Sequence, residues 1–331
     1  MIITRTPFRI SFFGGGTDYP DWFRQHGGAV LATTIDKYCY ITCRHLPPFF
    51  DYTHRIVYSN IENVRHIDEI QHPSVKAVLH WLQVSKGLEI HHDGDLPARS
   101  GLGSSSSFTV GLLQSIKALY GQMISQEVLA REAIHIEQNV IGEHVGSQDQ
   151  ISAAYGGFNQ IIFRGENQFT VSPVILPQQR RAELKSHLML CFTGFSRIAS
   201  QIAQSKIKNF SQRKKELIHM RAMVDEATAL LQDTTQPIEG FGELLHTSWQ
   251  YKRRLSDQVS NEQIDQLYAM ARDAGAIGGK ILGAGGGGFL LLFAKPEQQA
   301  AIRQRLSHLV HVSFDFEDAG SRVVLYQPNG L

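Results

Sequence analysis

The sequence predicts a two-domain protein that contains both helices and strands. Apolar segments with strand character alternate with segments whose apolar residues recur at helical spacing along the 331 residues. A chain of this length can form two separate hydrophobic cores. The polar segment 177–181 interrupts the pattern near the middle of the chain. We therefore expect one domain over residues 1–180 and a second over residues 181–331.

The first predicted elements are mainly strands. Residues 2–4 and 28–45 are rich in β-branched and aromatic side chains, which favours strands. Residues 73–86 have helical spacing. Residues 88–90 form a further short strand that leads into a segment rich in glycine and serine.

Two helices and a strand are predicted next. Ser125 is placed to cap the second helix, which ends near Ile141, and residues 156–163 have strand character. The first helix follows the glycine–serine segment, ends near Gly121 and carries its apolar residues on one face, namely Phe108, Leu112, Ile116 and Leu119.

The second half is predicted to be mostly helical, with strands near its two ends. Residues 188–192 form a strand, residues 197–233 a long charged helical region, and residues 239–274 further helix. A glycine-rich turn then precedes the apolar strand 289–293.

Composition narrows the class of protein. Hydrophobic residues make up 42% and charged residues 19% of the chain, and the formal net charge is +1, so nothing in the overall charge favours nucleic acid or a membrane as partner. The three cysteines lack metal-site spacing and are expected to be reduced, buried thiols. No signal core and no run of about 18 apolar residues is present. We therefore expect a cytoplasmic protein with small-molecule ligands, and leave open a homodimer.

The segment Pro97–Ser107 carries the strongest chemical signal. Two glycines flank Leu102, four serines follow, and a helix begins there. Such a loop presents unpaired backbone N–H groups, and the helix dipole adds partial positive charge at the same place, which suits phosphate. No Gly-Lys-Ser/Thr follows, so the loop is not a Walker P-loop, and it also lacks the GxGxxG fingerprint. A serine-capped helix without a ligand is the alternative interpretation.

Two further glycine segments support a ligand site. Glycines 14–16 follow a strand and precede Thr17 and Asp18, where a carboxylate could bind substrate hydroxyls or simply cap a helix. The segment 278–288 places four consecutive glycines before a buried strand, which suggests a turn packed closely against something, such as the Pro97–Ser107 loop.

Together these three segments resemble the motifs of the GHMP small-molecule kinases, and they occur in the family's order. The middle segment resembles the Pro-x-x-x-Gly-Leu-Gly-Ser-Ser signature. The resemblance implies an α+β fold, with an N-terminal α/β domain like that of ribosomal proteins and a ferredoxin-like C-terminal domain. It also implies ATP and Mg²⁺ as cofactors, and phosphoryl transfer to a sugar hydroxyl in the cleft between the domains.

The resemblance also implies roles for individual residues. Asp149 matches the catalytic aspartate of the galactokinase-like members, Glu137 the metal glutamate twelve residues before it, and Arg9 the basic residue beside the aspartate. Ser105 or a neighbouring serine is expected to join Glu137 at the metal. The ATP-binding residues are expected to be Pro97, Arg99, Ser100, Gly101, Leu102, Gly103, Ser104, Ser105, Ser106 and Ser107. The substrate-binding residues are expected to be Gly15, Gly16, Thr17, Asp18, Asp149, Arg197, Gly285 and Gly286.

A second interpretation of Glu137 is a solvent-exposed glutamate that binds no metal. In the predicted helix it lies beside an apolar stripe formed by Leu129, Ala133, Ile136 and Val140. Periodicity alone favours a solvated glutamate there, and Asp149 alone could be a loop cap.

One departure from the galactokinases bears on the substrate. They carry Glu-His where this chain has Gly15 and Gly16, which removes a carboxylate and much volume from the sugar pocket. The segments 13–20 and 278–288 look like those of kinases that act on D-glycero-D-manno-heptose 7-phosphate. The expected reaction is therefore phosphorylation of that sugar's anomeric hydroxyl, for nucleotide-activated heptose and lipopolysaccharide synthesis. The alternatives are a free-sugar kinase for fucose or galactose, and an inactive binding protein on the same fold.

Overall fold

Two sheets with helices packed against them form the structure. The computed structural model describes residues 1–166, 168–194 and 199–328. The strands of the first half are β1 (Ile2–Phe13), β2 (Gly28–His45), β3 (His54–Val57), β4 (Ile61–Val64), β5 (Leu88–Gly94), β6 (Phe158–Arg164) and β7 (Gln168–Pro173). The strands of the second half are β8 (Leu188–Phe192), β9 (Gly278–Ile281), β10 (Phe289–Phe293), β11 (Val310–Val312), β12 (Phe316–Glu317) and β13 (Arg322–Tyr326).

The helices lie between these strands. Those of the first half are α1 (Pro20–His26), α2 (Pro73–Trp81), α3 (Ser104–Leu119), α4 (Gln126–His135) and α5 (Gln148–Tyr155). Those of the second half are α6 (Gln178–Ser186), α7 (Ala199–Asn209), α8 (Lys214–Gln232), α9 (Glu239–Arg254), α10 (Glu262–Asp273) and α11 (Gln299–Arg305). Short 3₁₀ turns occupy Ile67–Glu69 and Pro296–Gln298, and a π-helical turn occupies Ile136–Val140.

The first sheet is organised around the long strand β2. Its main path runs β13-β1-β2-β5-β3-β4, while β6 and β12 also pair with β2, and β7 extends the sheet from β6. Every described strand pairing in this sheet is antiparallel except the parallel pair β3–β5. Helix α3 packs across β1 and β2 and is buried on nearly every side. The late strands β12 and β13 thus complete a sheet that the first residues of the chain begin, although the predicted division at residue 180 stays a prediction.

The second sheet has the order β11-β8-β10-β9, and all its described pairings are antiparallel. Numbered along the chain, this is the 4-1-3-2 order of a ferredoxin-like unit. The expected ferredoxin-like topology of the second half is therefore observed, and the mixture of helix and strand in both halves agrees with the predicted α+β class.

Most predicted elements are present, with three differences. The strand predicted at residues 2–4 continues to Phe13, because the chain stays buried from Thr6 onward with no turn before Gly14. The helix predicted over 73–86 ends at Trp81, since Gln83 has a left-handed backbone with φ of 50°. The two long helical regions of the second half each divide into two helices.

The two halves meet at closely packed glycines. A Cβ atom on Gly101 would lie 2.6 Å from the Leu282 carbonyl oxygen, and one on Gly288 would lie 2.2 Å from that of Ser100. The Phe289 N–H also donates to the Ser100 carbonyl at 3.1 Å. The predicted contact between the glycine turn and the Pro97–Ser107 loop is therefore present.

Within the described part of the chain, no helix is both long and apolar enough to cross a membrane.

Candidate active site

The Pro97–Ser107 loop presents the free end of α3. Gly103 caps the helix in a left-handed conformation with φ of 75°, and the first helical hydrogen bond runs from the Ser107 N–H to the Gly103 carbonyl at 2.9 Å. The N–H groups of the first turn before Ser107 therefore have no helical acceptor. Together with the helix dipole, they form a place for an anion such as a phosphate.

Other side chains of the loop hold its shape. The Ser100 hydroxyl donates to the Pro97 carbonyl at 2.6 Å, and the Ser107 hydroxyl donates to the Pro7 carbonyl at 2.9 Å. Leu102 is fully buried, and its carbonyl accepts from the Arg9 N–H at 3.0 Å. These residues can offer a ligand their backbone only, because their side chains are already engaged.

One side of the loop faces an apolar pocket, which we call the Phe108 pocket. Arg99, Ser104 and Ser105 line it, and Arg99 adopts a left-handed backbone with its N–H donating to the Ser104 hydroxyl at 3.0 Å. The His72 ring stacks on Phe108 with ring centroids 4.6 Å apart. The other lining residues include Phe8, Tyr58, Asn60, Pro73, His92, Leu96 and Glu143.

The Phe108 pocket suits a flat aromatic ligand. Burial lowers the pKa of His72 to about 4, so the ring is neutral at physiological pH. A neutral ring beside Phe108 offers stacking rather than charge. Sequence reasoning missed this pocket, because its walls come from five separate segments of the chain.

Glu137 lies at the other side of the first turn of α3. It is fully buried in the π-helical turn, where the Ser106 hydroxyl donates to its Oε2 at 2.9 Å and the Gln150 amide donates to the same oxygen. Its Oε1 has no hydrogen-bond partner among the described atoms. Burial raises the pKa of Glu137 to about 7, although the nearby Thr109 hydroxyl, the Ser106 hydroxyl and the Gln150 amide lower it. The solvated alternative is therefore excluded, and the extra residue of the π turn leaves Val140 exposed instead of in the apolar stripe.

The Glu137 site fits a hard cation. Across residues 1–166, 168–194 and 199–328, no cluster of three or more His, Cys, Asp or Glu side chains could hold a metal by itself. Mg²⁺ commonly binds one or two carboxylates and completes its shell with phosphates and water. The unpartnered Oε1 and the Ser106 hydroxyl supply such oxygens. The serine beside Glu137 is thus Ser106, whereas Ser105, the residue predicted, is exposed and faces the Phe108 pocket.

Arg9 and Asp149 form a two-point ion pair at the loop. Arg9 Nε donates to Asp149 Oδ1 at 2.8 Å, and Nη2 donates to Oδ2 at 2.9 Å. The remaining Nη1 donates to the Gly101 carbonyl at 2.6 Å. A Cβ atom on Gly103 would lie 3.4 Å from Asp149 Oδ2. Arg9 therefore fixes the carboxylate against the start of α3, as the sequence predicts.

Beyond this pair lies a second pocket, which we call the Asp149 pocket. Asp18 lies in its wall, buried, and accepts from the Gly16 N–H at 2.9 Å and from Gln148 Nε2 at 3.0 Å. Burial raises the pKa of Asp18 and the Asp149 charge raises it further, while the Gly16 hydrogen bond lowers it. A Cβ atom on Gly146 would lie 1.9 Å from Asp18 Oδ2, so only glycine fits there.

Three predicted substrate contacts differ from the structure. The Thr17 hydroxyl donates within the fold, to the carbonyls of Gly14 and Ala29 at 2.8 and 2.9 Å, and it does not line the pocket. Gly285 and Gly286 pack against the Val259 backbone instead.

Gly15 and Gly16 do line the Asp149 pocket, but the Gly16 N–H is already bonded to Asp18 and is not free for a phosphate. In place of Gly285 and Gly286, Gly283 and Ala284 reach the pocket. Arg197, the predicted contact for a substrate phosphate, lies outside the described residues.

Three buried lysines in the Asp149 pocket were missed by the sequence reasoning. Lys252 donates to the carbonyls of Ile281 and Gly283 at 2.8 and 2.7 Å, and Lys280 donates to that of Phe12 at 2.8 Å. Lys206, on α7, is also buried and lines the pocket. These residues come from α7, α9 and β9, so no local sequence pattern brings them together.

Comparisons with known proteins agree with this geometry. The family model "GHMP kinases N terminal domain" matches residues 70–157, which contain the loop, Glu137 and Asp149, and "GHMP kinases C terminal" matches residues 227–311. The D-glycero-alpha-D-manno-heptose 7-phosphate kinase of Campylobacter jejuni is 29% identical over 97% of this chain and 98% of its own. A bifunctional fucokinase/GDP-fucose pyrophosphorylase of Arabidopsis thaliana is 28% identical over 93% of this chain, but over only 31% of its own length.

Solved structures show the same fold over nearly the whole chain. A D-glycero-D-manno-heptose 1-phosphate kinase from Bacteroides thetaiotaomicron matches with a TM-score of 0.80 at 22% identity, covering 98% of both chains. Galactokinase of Lactococcus lactis matches with a TM-score of 0.76 at 18% identity, covering 97% of this chain and 94% of its own. The two family models, the fold and the ordered motifs together show that this chain belongs to the GHMP kinase family.

Proposed function

We propose that this protein is an ATP- and Mg²⁺-dependent sugar kinase whose substrate is D-glycero-D-manno-heptose 7-phosphate. It transfers the γ-phosphoryl group of ATP to the anomeric hydroxyl and forms the 1,7-bisphosphate. Such a product suits a cytoplasmic route to nucleotide-activated heptose for lipopolysaccharide. The observation that carries the proposal is the Arg9–Asp149 pair, because it places a carboxylate between the start of α3 and a pocket lined by Asp18.

The two pockets provide for the two substrates. The Phe108 pocket takes the adenine ring, and the N–H groups at the start of α3 take the phosphates. The Asp149 pocket takes the sugar, with Asp18 accepting hydrogen bonds from its hydroxyls. The phosphoryl group would then pass across the short distance between Gly103 and Asp149.

Asp149 acts as the general base. It accepts the proton of the attacking hydroxyl while that oxygen forms a bond to the γ-phosphorus, and the bond to the ADP oxygen breaks. Arg9 uses its three donor positions to hold Asp149 and Gly101, so it positions the base relative to the phosphate loop. The buried pair also limits the access of water, which would compete as acceptor.

Glu137 and Ser106 are the residues that would hold Mg²⁺. When bound, the ion neutralises charge on the nucleotide phosphates. Gln150 and Ser106 both donate to Oε2, which leaves Oε1 directed away from them and available as a ligand.

A phosphorylated heptose fits the pocket better than a plain hexose. Glycines at positions 15 and 16 leave room beside Asp18, and buried lysines add positive charge. The Campylobacter jejuni relative, whose name states this substrate, aligns over nearly its full length. The second candidate is a free-sugar kinase of the fucose or galactose type, and the name of the Arabidopsis thaliana relative supports fucose.

Steady-state kinetics on four sugars tests the proposal. We expect a kcat/KM for D-glycero-D-manno-heptose 7-phosphate at least roughly tenfold above that for the unphosphorylated heptose, because charge-assisted hydrogen bonds contribute about 1.5–3 kcal/mol each. Galactose and fucose serve as the comparison substrates. Equal use of the free heptose would refute the phosphate-bearing substrate, and preferred use of fucose or galactose would establish the second candidate.

A further inference from the structure

Lys206 differs from every other described lysine of the Asp149 pocket. Lys252 and Lys280 each donate to backbone carbonyls of the glycine-rich segment or of β1. Lys206 makes no hydrogen bond and no ion pair with any described residue. Its one described contact is with the Tyr19 ring, whose centroid lies 5.3 Å from Nζ. The residue as a whole is nevertheless only 3% exposed and lines the pocket, so its ammonium group has the pocket as its polar surroundings and no described polar side chain or carbonyl as a partner.

The cost of burying the Lys206 ammonium group without a partner needs an explanation. Taking such a charge out of water costs several kcal/mol unless hydrogen bonds or an opposite charge compensate for it. Asp18 and Asp149 are the carboxylates near enough to interact with Lys206 electrostatically, yet neither forms an ion pair with it. Burial lowers the pKa of Lys206 to about 8 and both carboxylates raise it, so the group remains mostly charged at neutral pH. A ligand that enters the Asp149 pocket beside Lys206 therefore meets an ammonium group that has no hydrogen-bond acceptor.

The other two lysines are less suited to an anion. Burial lowers the pKa of Lys280 to about 7, and that of Lys252 lies well below its usual value. Each would also lose a backbone hydrogen bond if it turned toward a ligand. Lys206 lacks a negatively charged partner with several acceptor oxygens. A phosphomonoester supplies such a partner.

Resting on the proposed function, we infer that Lys206 is the specificity-determining residue that binds the phosphate already carried by the sugar. This phosphate would lie at the α7 wall of the pocket, whereas the anomeric hydroxyl reacts at Asp149 in the same pocket. Lys206 takes no part in the transfer itself. Its contribution is to select a phosphorylated acceptor over a neutral one.

Lys206→Met tests this inference, with Lys208→Met as the matched control. Methionine preserves the length and most of the volume of the side chain, while Lys208 lies on the same helix and is exposed. Each variant is measured with the 7-phosphate and with the free heptose at saturating ATP. We expect Lys206→Met to lose about 10- to 100-fold in kcat/KM for the 7-phosphate and less than threefold for the free heptose. Lys208→Met should match the wild type on both sugars.

Two further measurements guard against a folding artefact. Lys206→Gln provides a second neutral variant, and calorimetric binding of the 7-phosphate without ATP reports affinity independently of turnover. We expect both variants to weaken this binding about 10-fold or more, while ATP binding stays as in the wild type and the thermal unfolding temperature does not fall.

The outcomes separate the two hypotheses. A wild type that prefers the 7-phosphate, with the same preference kept in both Lys206 variants, refutes the role of Lys206 and leaves the proposed function intact. An equal loss on both sugars also refutes it, because Lys206 would then only balance the charge of Asp18 and Asp149. A wild type without preference for the 7-phosphate overturns the proposed substrate and this inference with it.

Discussion

Replacing Asp149 by asparagine separates catalysis from stability at the Arg9–Asp149 pair. The amide keeps one acceptor oxygen for the guanidinium group but cannot take a proton from the sugar hydroxyl. Removing a positioned base typically lowers turnover about 100- to 10,000-fold. We therefore expect kcat to fall by that factor, whereas ATP binding is unchanged because the Phe108 pocket and the start of α3 are untouched.

The same substitution should also destabilise the protein. The Arg9 side chain is only 4% exposed, so losing its counter-charge leaves a cation that water cannot fully solvate. Breaking a buried ion pair from one side costs about 3–5 kcal/mol. Asp149 is 25% exposed and asparagine retains one hydrogen bond, so we expect a smaller loss than this, about 2–3 kcal/mol of unfolding free energy.

A double variant distinguishes the two effects. Arg9→Met combined with Asp149→Asn removes the isolated charge and should recover most of the lost stability, but none of the lost turnover. Urea unfolding gives the free energies, and single-turnover kinetics with bound ATP gives the chemical rate. An Asp149→Asn enzyme that keeps more than about a tenth of wild-type turnover would refute the base assignment. A double variant no more stable than the single one would refute the electrostatic reasoning.

Three other predictions use different parts of the structure. Glu137→Gln should raise the Mg²⁺ concentration needed for half-maximal activity, since an amide oxygen is a weaker ligand for a hard cation; an unchanged titration would show a structural role. Gly146→Ala should lower kcat/KM at least roughly tenfold with little change in ATP affinity, because its Cβ would displace Asp18; normal sugar kinetics would contradict this. The pKa of His72 is about 4 when folded and 6.5 when unfolded, so stability present above pH 6.5 should be lost as the pH falls toward 4, by about 3 kcal/mol. His72→Asn keeps a side-chain acceptor for the Val75 N–H and should remove this part of the acid loss; identical pH profiles in urea unfolding would refute it.

The sequence predicts best what local pattern decides. Strand β2 was predicted at its observed bounds, because its β-branched and aromatic residues continue without a break over 28–45. Ser125 caps α4 as expected, accepting from the Val128 N–H. The end of α2 was missed because a single left-handed residue, Gln83, stops it, and no glycine or proline marks that position.

Only those site residues that belong to a sequence motif could be predicted from the sequence. Arg9 pairs with Asp149, as the family resemblance implies, and Glu137 lies beside Ser106 in the first turn of α3, while the roles of these residues stay predictions. Ser106 could not have been favoured over Ser105 from periodicity, because both precede buried residues of α3 and only the packing buries Ser106 and leaves Ser105 exposed. The lysines and the Phe108 pocket depend on how distant segments pack, so no spacing in the chain reveals them.

The position of β13 has a consequence for how the protein is made. β13 covers one edge of β1, and the Ser321 hydroxyl lies 2.7 Å from that of Thr6, although more than three hundred residues separate them. During synthesis, this edge of β1 therefore stays unpaired until β13 has left the ribosome. Open edges pair readily with other chains, and long-range pairing is slow. We expect nascent or C-terminally truncated chains that lack β13 to depend on chaperones, even though their residues around Asp149 are complete.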